Sequence, residues 1–375
     1  MLKADAELRR VRYVNLPAQY AEERSDILRI VDEVFRRGDF IGGASIEILE
    51  HELAQFLGVH HVVALNSGTD ALILGLKSLG IGPGDEVITP ANSFIASTAA
   101  IVAVGAIPVF ADVLPDQNIA PDAIAAAITA RTKAIMPVHL TGRVADMHAI
   151  MRLAHAHGLA VIEDSAQAVG SKYDGKMAGS FGTVGCYSAH PLKNLNAAGD
   201  AGFVATNDAE IAARIKRLRN HGLVDRNKAD EWGTVSRLDT LQAEILRLRL
   251  RNLPSVIDRR RAIATQYRRE LEGCPVFCPP CRNEEFNTFH TFVVQTDRRD
   301  EMKAFLLARG IETAIHYPLP IHLQPAAKGL GYKKGSLPQT ERQAERILTL
   351  PANQFLSADD VSYVAANISE FCNAN

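Results

Sequence analysis

Between residue 20 and about residue 220 the chain alternates short β-rich apolar runs with longer stretches whose apolar positions recur at helical spacing. The runs that predict strands are residues 62–65, 86–89, 108–112, 134–138, 160–163, 184–188 and 202–206. Amphipathic stretches such as 70–79, 121–130 and 146–156 lie between most of them. Alternation of this kind predicts an α/β fold, with a mainly parallel sheet flanked by helices. Residues 208–220 predict a capped helix, with Asn207 or Asp208 at its start and Gly222 just beyond its end.

After residue 236 the pattern changes. Residues 237–252 and 254–272 predict two long helices, separated where Pro254 can serve as a first-turn residue. Beyond them, 288–296 alternates like a strand, 299–309 like a helix and 311–315 like another strand. The expected organisation is a large domain over residues 1–250 and a smaller carboxy-terminal α/β domain over 251–375.

With 375 residues, 47% of them hydrophobic, the chain is long enough to bury a sizeable core. A net charge of −2 gives no argument for nucleic acid or a membrane surface. The apolar run 95–108 is too short and too rich in alanine to span a bilayer. The amino terminus, MLKADAELRRVRYVN, lacks the apolar core of a signal peptide, so a cytoplasmic location is expected. Five cysteines are a poor disulfide framework. Cys274, Cys278 and Cys281 do form C-x3-C-x2-C, the spacing of radical S-adenosylmethionine enzymes. They follow a helix late in the chain and sit among prolines, a context that favours a stiff connecting loop.

Three segments carry candidate chemistry. Asn66-Ser67-Gly68-Thr69-Asp70 directly follows a predicted strand. Backbone N–H groups at the start of the next helix would form a phosphate site, with Gly68 permitting close approach and Thr69 adding a hydroxyl. Alone, the segment reads equally well as an ordinary helix cap. In the second, the run Val161-Ile162-Glu163-Asp164-Ser165-Ala166-Gln167 ends an apolar strand in a carboxylate, where open α/β sheets place ligand contacts. Asp164 suits a protonated ring nitrogen, and Gln167 a ring oxygen. A metal-binding or capping aspartate is the rival reading. The third, Ser188-Ala189-His190-Pro191-Leu192-Lys193, sets a lysine between small and apolar residues. Partial burial would lower its pKa from about 10.4 and free a neutral amine for a Schiff base. Ser188 is a second candidate phosphate donor.

Taken together, in this order and with these gaps, the segments resemble the DegT/DnrJ/EryC1/StrS family of sugar aminotransferases, within the fold-type I pyridoxal-phosphate enzymes. The likeness extends through GIGPGDEVITPANSFIAS, VIEDSAQAVGSKYDGKMAGSFGTVGCYSAHPLKNL and ETAIHYPLPIHLQPA, and so over nearly the whole chain. It implies that Lys193 carries pyridoxal 5'-phosphate and moves the proton. Asp164 would pair with the ring nitrogen, Gln167 would contact the ring oxygen, and Phe94 would stack on the ring. Gly68, Thr69 and Ser188 would hold the phosphate. His316 and His322 fall near the substrate in the family pattern, and His322 is taken forward as a substrate contact. The resemblance further implies a homodimer that moves an amino group from L-glutamate to a nucleotide-linked keto-sugar, for amino-sugar or polysaccharide biosynthesis. Relatives with His at the lysine position dehydrate or deoxygenate sugars, so Lys193 favours transamination over that reading or a regulatory one. Val235 stands where the family pattern has an Asn that reaches the neighbouring subunit's phosphate.

Overall fold

The computed structural model describes residues 9–374. The first part of the amino-terminal segment considered above as a leader therefore lies outside the described residues. Seven strands build the main sheet: β1 His61–Leu65, β2 Glu86–Pro90, β3 Ile107–Ala111, β4 Thr132–Ile135, β5 Ala160–Asp164, β6 Val184–Ser188 and β7 Gly202–Thr206. Their spatial order is β1-β7-β6-β5-β4-β2-β3. The β3–β2–β4–β5–β6 pairs are parallel, and β7 runs antiparallel to both β6 and β1.

Strand periodicity explains why the sheet needs cover on both sides. In β1, Val62 and Ala64 enter one core while Val63 and Leu65 enter another. In β7, Phe203 and Ala205 face the first core, and Val204 faces the second. The first core is closed by helices α2 (Ala44–Leu57) and α8 (Thr240–Glu270), through Leu49, Leu53, Leu246 and Leu253. Helices α3 (Gly68–Ser78), α4 (Ile95–Ala103) and α7 (Ala209–Leu218) close the second, through Leu72, Leu76, Ile101 and Ile215. Helix α1 (Leu16–Arg37) lies outside, packing Ile30 and Val34 on Ile245 and Leu248 of α8. Asp208 caps α7 through its side chain, accepting from the backbone N–H groups of Glu210 and Ile211.

Two local expectations, the helix break at Pro254 and the strand over 311–315, fail here. Helix α8 runs unbroken from Thr240 to Glu270 with Pro254 inside it, rather than as two helices. An interior proline costs about 3 kcal/mol, but Leu250, Leu253 and Ile257 on either side of it are all buried in one core, which holds the helix together. The boundary expected near residue 250 thus falls inside a helix, whose carboxy-terminal part joins a separate apolar cluster from Ile263 onward. That cluster packs beneath a two-stranded antiparallel sheet of Phe292–Gln295 and Ile347–Leu350. The strand expected over 311–315 reduces to isolated bridges, Val11 with Ile311 and Ala314 with Thr349. Among the described residues no helix is long and apolar enough to cross a membrane.

Buried Glu163 fixes the end of β5. Its carboxylate accepts from the backbone N–H groups of Gly179 (2.7 Å), Phe181 (2.7 Å) and Gly182 (2.6 Å), and from His139 Nε2 at 2.9 Å. His139 Nδ1 accepts from the N–H of Ala145, so the imidazole proton sits on Nε2. Glu163→Ala strands four donors, two of them buried and two half-buried, and is expected to lower stability by about 3–5 kcal/mol. Thermal unfolding checks this, and a loss below about 1 kcal/mol would contradict it.

Candidate active site

A cleft of about 480 Å³ opens above the carboxyl ends of β1, β5 and β6. Gly68, Thr69, Phe94, Asp164, Gln167, Ser188 and Lys193 all line it, although they come from four separate stretches of sequence.

On one side is the start of α3. Ser67 is its N-cap, and Ser67 Oγ accepts from the N–H of Asp70 at 3.1 Å. Gly68 and Thr69 lie in the first turn, where helix geometry leaves N–H groups without an intrahelical partner. A Cβ on Gly68 would stand 2.6 Å from Ser188 Cβ, so only glycine lets the helix start sit this close to β6. Ser188 Oγ accepts from the N–H of His190 at 3.3 Å, leaving its own proton to donate. Backbone donors, two hydroxyls and the positive helix end form a cradle for a phosphate.

Asp164 ends β5 and is buried. Ser97 Oγ, from the first turn of α4, donates to Oδ2 at 2.7 Å, and the N–H of Ala166 donates to Oδ1 at 3.1 Å. These bonds fix the carboxylate's plane and leave it lone pairs for a cationic ring N–H. Gln167 Oε1 accepts from the N–H of Thr141 at 2.8 Å, which turns Nε2, a donor, toward Tyr317 Oη and the cleft. Phe94, at the start of α4, is 55% exposed with its ring 5.9 Å from that of Tyr317. An aromatic face left open to a cleft suits a flat heterocycle.

Lys193 follows β6 on a loop tied down at both ends. Its N–H donates to the carbonyl of His190 at 2.8 Å, and Asn196 exchanges side-chain hydrogen bonds with Gln19 of α1 at 3.0 and 3.1 Å. Burial pushes the Lys193 amine down to about 8, with the negative charge of Asp164 opposing the shift. Roughly a tenth of the amine is then neutral at pH 7, against well under a thousandth for a solvated lysine. His290 and His316 face the same cleft as neutral imidazoles. Burial lowers both, His316 to about 4, and the charge of Lys193 lowers them further.

His322 does not line this cleft. It is buried among Phe110 and Tyr332, and Nε2 bonds to Glu341 Oε1 at 3.0 Å, away from the cleft wall. His316 of the same motif lines the cleft instead, bonded through Nδ1 to Thr349 Oγ1 at 2.9 Å. Tyr13, Arg260, His290 and Tyr317 also line it and were missed. Arg260 sits in the run Arg259-Arg260-Arg261, within the stretch that the sequence reads only as a helix. The cysteine trio does not converge: Cys274 meets Ser369 and Cys281 meets Asn287. Among the described residues no group of three or more His, Cys, Asp or Glu side chains is placed to hold a metal ion.

A sequence model of the DegT/DnrJ/EryC1/StrS aminotransferase family matches residues 21–369. The chain is 42% identical to a pleiotropic regulatory protein of Geobacillus stearothermophilus, over 96% of this chain and 98% of that one. It is 45% identical to a UDP-N-acetyl-3-dehydro-alpha-D-glucosamine 3-aminotransferase of Acidithiobacillus ferrooxidans, over 95% and 96% of the two chains. Among solved structures, S. venezuelae DesV in complex with a ketimine intermediate superposes with a TM-score of 0.95 at 42% identity, covering 97% of this chain and 98% of that one.

Proposed function

Because the chain belongs to the DegT/DnrJ/EryC1/StrS aminotransferase family, we propose that it moves an amino group from L-glutamate to the carbonyl carbon of a nucleotide-linked sugar, with Lys193 holding pyridoxal 5'-phosphate. It is a sugar aminotransferase of the fold-type I architecture. The observation that carries the reading is the pairing of a desolvated lysine with a buried, hydrogen-bonded aspartate across one cleft.

When bound, pyridoxal phosphate supplies an aldehyde that exchanges amines and a ring that takes up electrons from the carbon losing its proton. The residues present fit it. The cradle of Gly68, Thr69 and Ser188 would receive the phosphate, as the 2.6 Å approach of Gly68 to Ser188 allows. Asp164 would keep the ring nitrogen protonated, Gln167 Nε2 would donate to the ring oxygen, and Phe94 would cover one face. Lys193 Nζ would take a proton from the donor's α-carbon and return it one position along. His290 and His316, held neutral, compete poorly for that proton. A dehydratase-like role is disfavoured by the lysine itself, and a regulatory role by the completeness of the site.

Exposed apolar side chains support a homodimer. Phe35 and Phe40 meet edge to face at 5.3 Å while both are exposed, and Trp232 is 96% exposed. Exposed apolar groups of this size favour a covering partner. Val235 is also exposed, so a valine here offers a partner subunit apolar contact rather than a phosphate donor. Residues 1–250 then form the cofactor-binding unit and 251–375 the opposing wall of the cleft. Five free cysteines fit a reducing, cytoplasmic setting.

One consequence is a pH dependence. Covalent loading of cofactor-free enzyme needs the neutral amine, so its rate is expected to rise about tenfold per pH unit up to about 8 and then level off. Stopped-flow absorbance measures this, and a break near 10 would contradict the buried lysine. The function itself is tested by giving the yellow enzyme glutamate, then nucleotide-linked keto-sugars. Glutamate should bleach the colour and release 2-oxoglutarate, and the correct sugar should restore the colour and appear as its amine by mass spectrometry. An enzyme that releases no 2-oxoglutarate would refute it.

A further inference from the structure

Arg260 is an uncompensated buried cation. It projects from α8 into the cleft wall, is only 8% exposed, and makes no ion pair among the described residues. One guanidinium nitrogen donates to the carbonyls of Phe289 (3.3 Å) and His290 (3.1 Å), and the other to Gln354 Oε1 at 3.0 Å. Among the described residues Nε finds no partner. Carbonyl oxygens satisfy hydrogen bonds but leave the unit charge in place, and buried charges are ordinarily paired.

Nothing else in the cleft can neutralise it. The lining holds two carboxylates, Asp164 and Asp200. Asp164 is engaged with Ser97 and faces the ring site, and Asp200 is exposed. Tyr13 and His290, the groups nearest Arg260 in its electrostatic surroundings, are neutral. His290, whose carbonyl Arg260 bonds, also feels the charge of Lys193, so both cations lie near the same imidazole. The missing negative charge therefore has to arrive with a ligand. The cofactor's phosphate is assigned to the start of α3, whereas the donor's α-carboxylate, two bonds from the nitrogen exchanged at Lys193, is an anion brought near His290 and its neighbour Arg260.

We propose that Arg260 is the counter-charge that recognises the carboxylate of the amino donor, with Tyr13 and Gln354 beside it, so that it selects amino acids over simple amines. This rests on the aminotransferase reading. A carboxylate could also come from an acidic keto-sugar, and the two sources are separable because donor and acceptor bind in different half-reactions.

The test uses the cofactor-loaded enzyme, with R260Q and the charge-keeping R260K. R260Q should weaken calorimetric binding of glutarate, an unreactive dicarboxylate, at least about tenfold, and should raise the glutamate concentration for half-maximal bleaching by a similar factor. R260K should fall between R260Q and the unmodified enzyme. The second half-reaction with a neutral keto-sugar should stay within about twofold. Unmodified enzyme should prefer glutamate over its α-carboxamide by a factor that shrinks in R260Q, a comparison whose first half needs no variant to fold. Unchanged glutarate binding in R260Q would overturn the proposal, as would an equal loss in both half-reactions or no discrimination against the α-carboxamide. A loss confined to acidic keto-sugars would assign the arginine to the acceptor and also overturn it. If unmodified enzyme forms no 2-oxoglutarate, the aminotransferase reading fails instead, and glutarate binding still decides whether Arg260 recognises a carboxylate.

Discussion

Lys193→Ala is expected to lower amino transfer by about 10⁴-fold or more, the upper end of what a positioned general acid–base contributes. Two functions are lost at once, the amine that holds the cofactor and the group that carries the proton. The neighbours offer no substitute. His290 and His316 are half-buried and desolvated enough to disfavour a proton, and the next acid, Asp164, is committed to Ser97 and the ring site. The variant should still fold, since among the described residues Lys193 Nζ takes part in no hydrogen bond or ion pair that holds the loop; Asn194, Asn196 and the backbone do that. It should still bind the cofactor non-covalently. Single-turnover absorbance with glutamate reads the result, and turnover within tenfold of the unmodified enzyme would count against the assignment.

Asp164→Ala is expected to cost about 10²–10³-fold in turnover, the size of effect seen when one preorganised electrostatic contact is removed. Without the carboxylate nothing in the cleft holds a proton on the ring nitrogen. A second readout separates this role from simple damage to the strand end. The charge of Asp164 raises the Lys193 pKa against the effect of burial. Removing it should move the pH at which covalent loading levels off from about 8 to a lower value. An unshifted loading profile, or turnover within about threefold, would show that the two groups do not face each other across the ring.

Much of this was legible in sequence because the informative segments are local. Asp164 and Ser188 end apolar strands and Gly68 opens a helix three residues after another, and in a parallel sheet strand ends collect on one edge. The strand limits over 184–188 and 202–206 coincide with β6 and β7, since Gly and polar residues bound both runs closely. What sequence missed depends on distant packing. Pro254 looked like a helix start because its cost is local, while the burial of Leu250, Leu253 and Ile257 that offsets it is tertiary. His316 and His322 sit six residues apart in one motif, and only the fold shows that Glu341 draws the second away from the cleft. Arg260 was hidden in a run of three arginines, because helix phase against a wall 30 residues downstream cannot be read from spacing.

The most direct measurement is to reduce the yellow enzyme with borohydride, digest it and locate the cofactor's mass by tandem spectrometry. A bond between Nζ of residue 193 and the vitamin-derived aldehyde predicts one labelled peptide, carrying the tag on Lys193. A label on any other lysine, or no label on a protein that is nonetheless yellow and active, would contradict it.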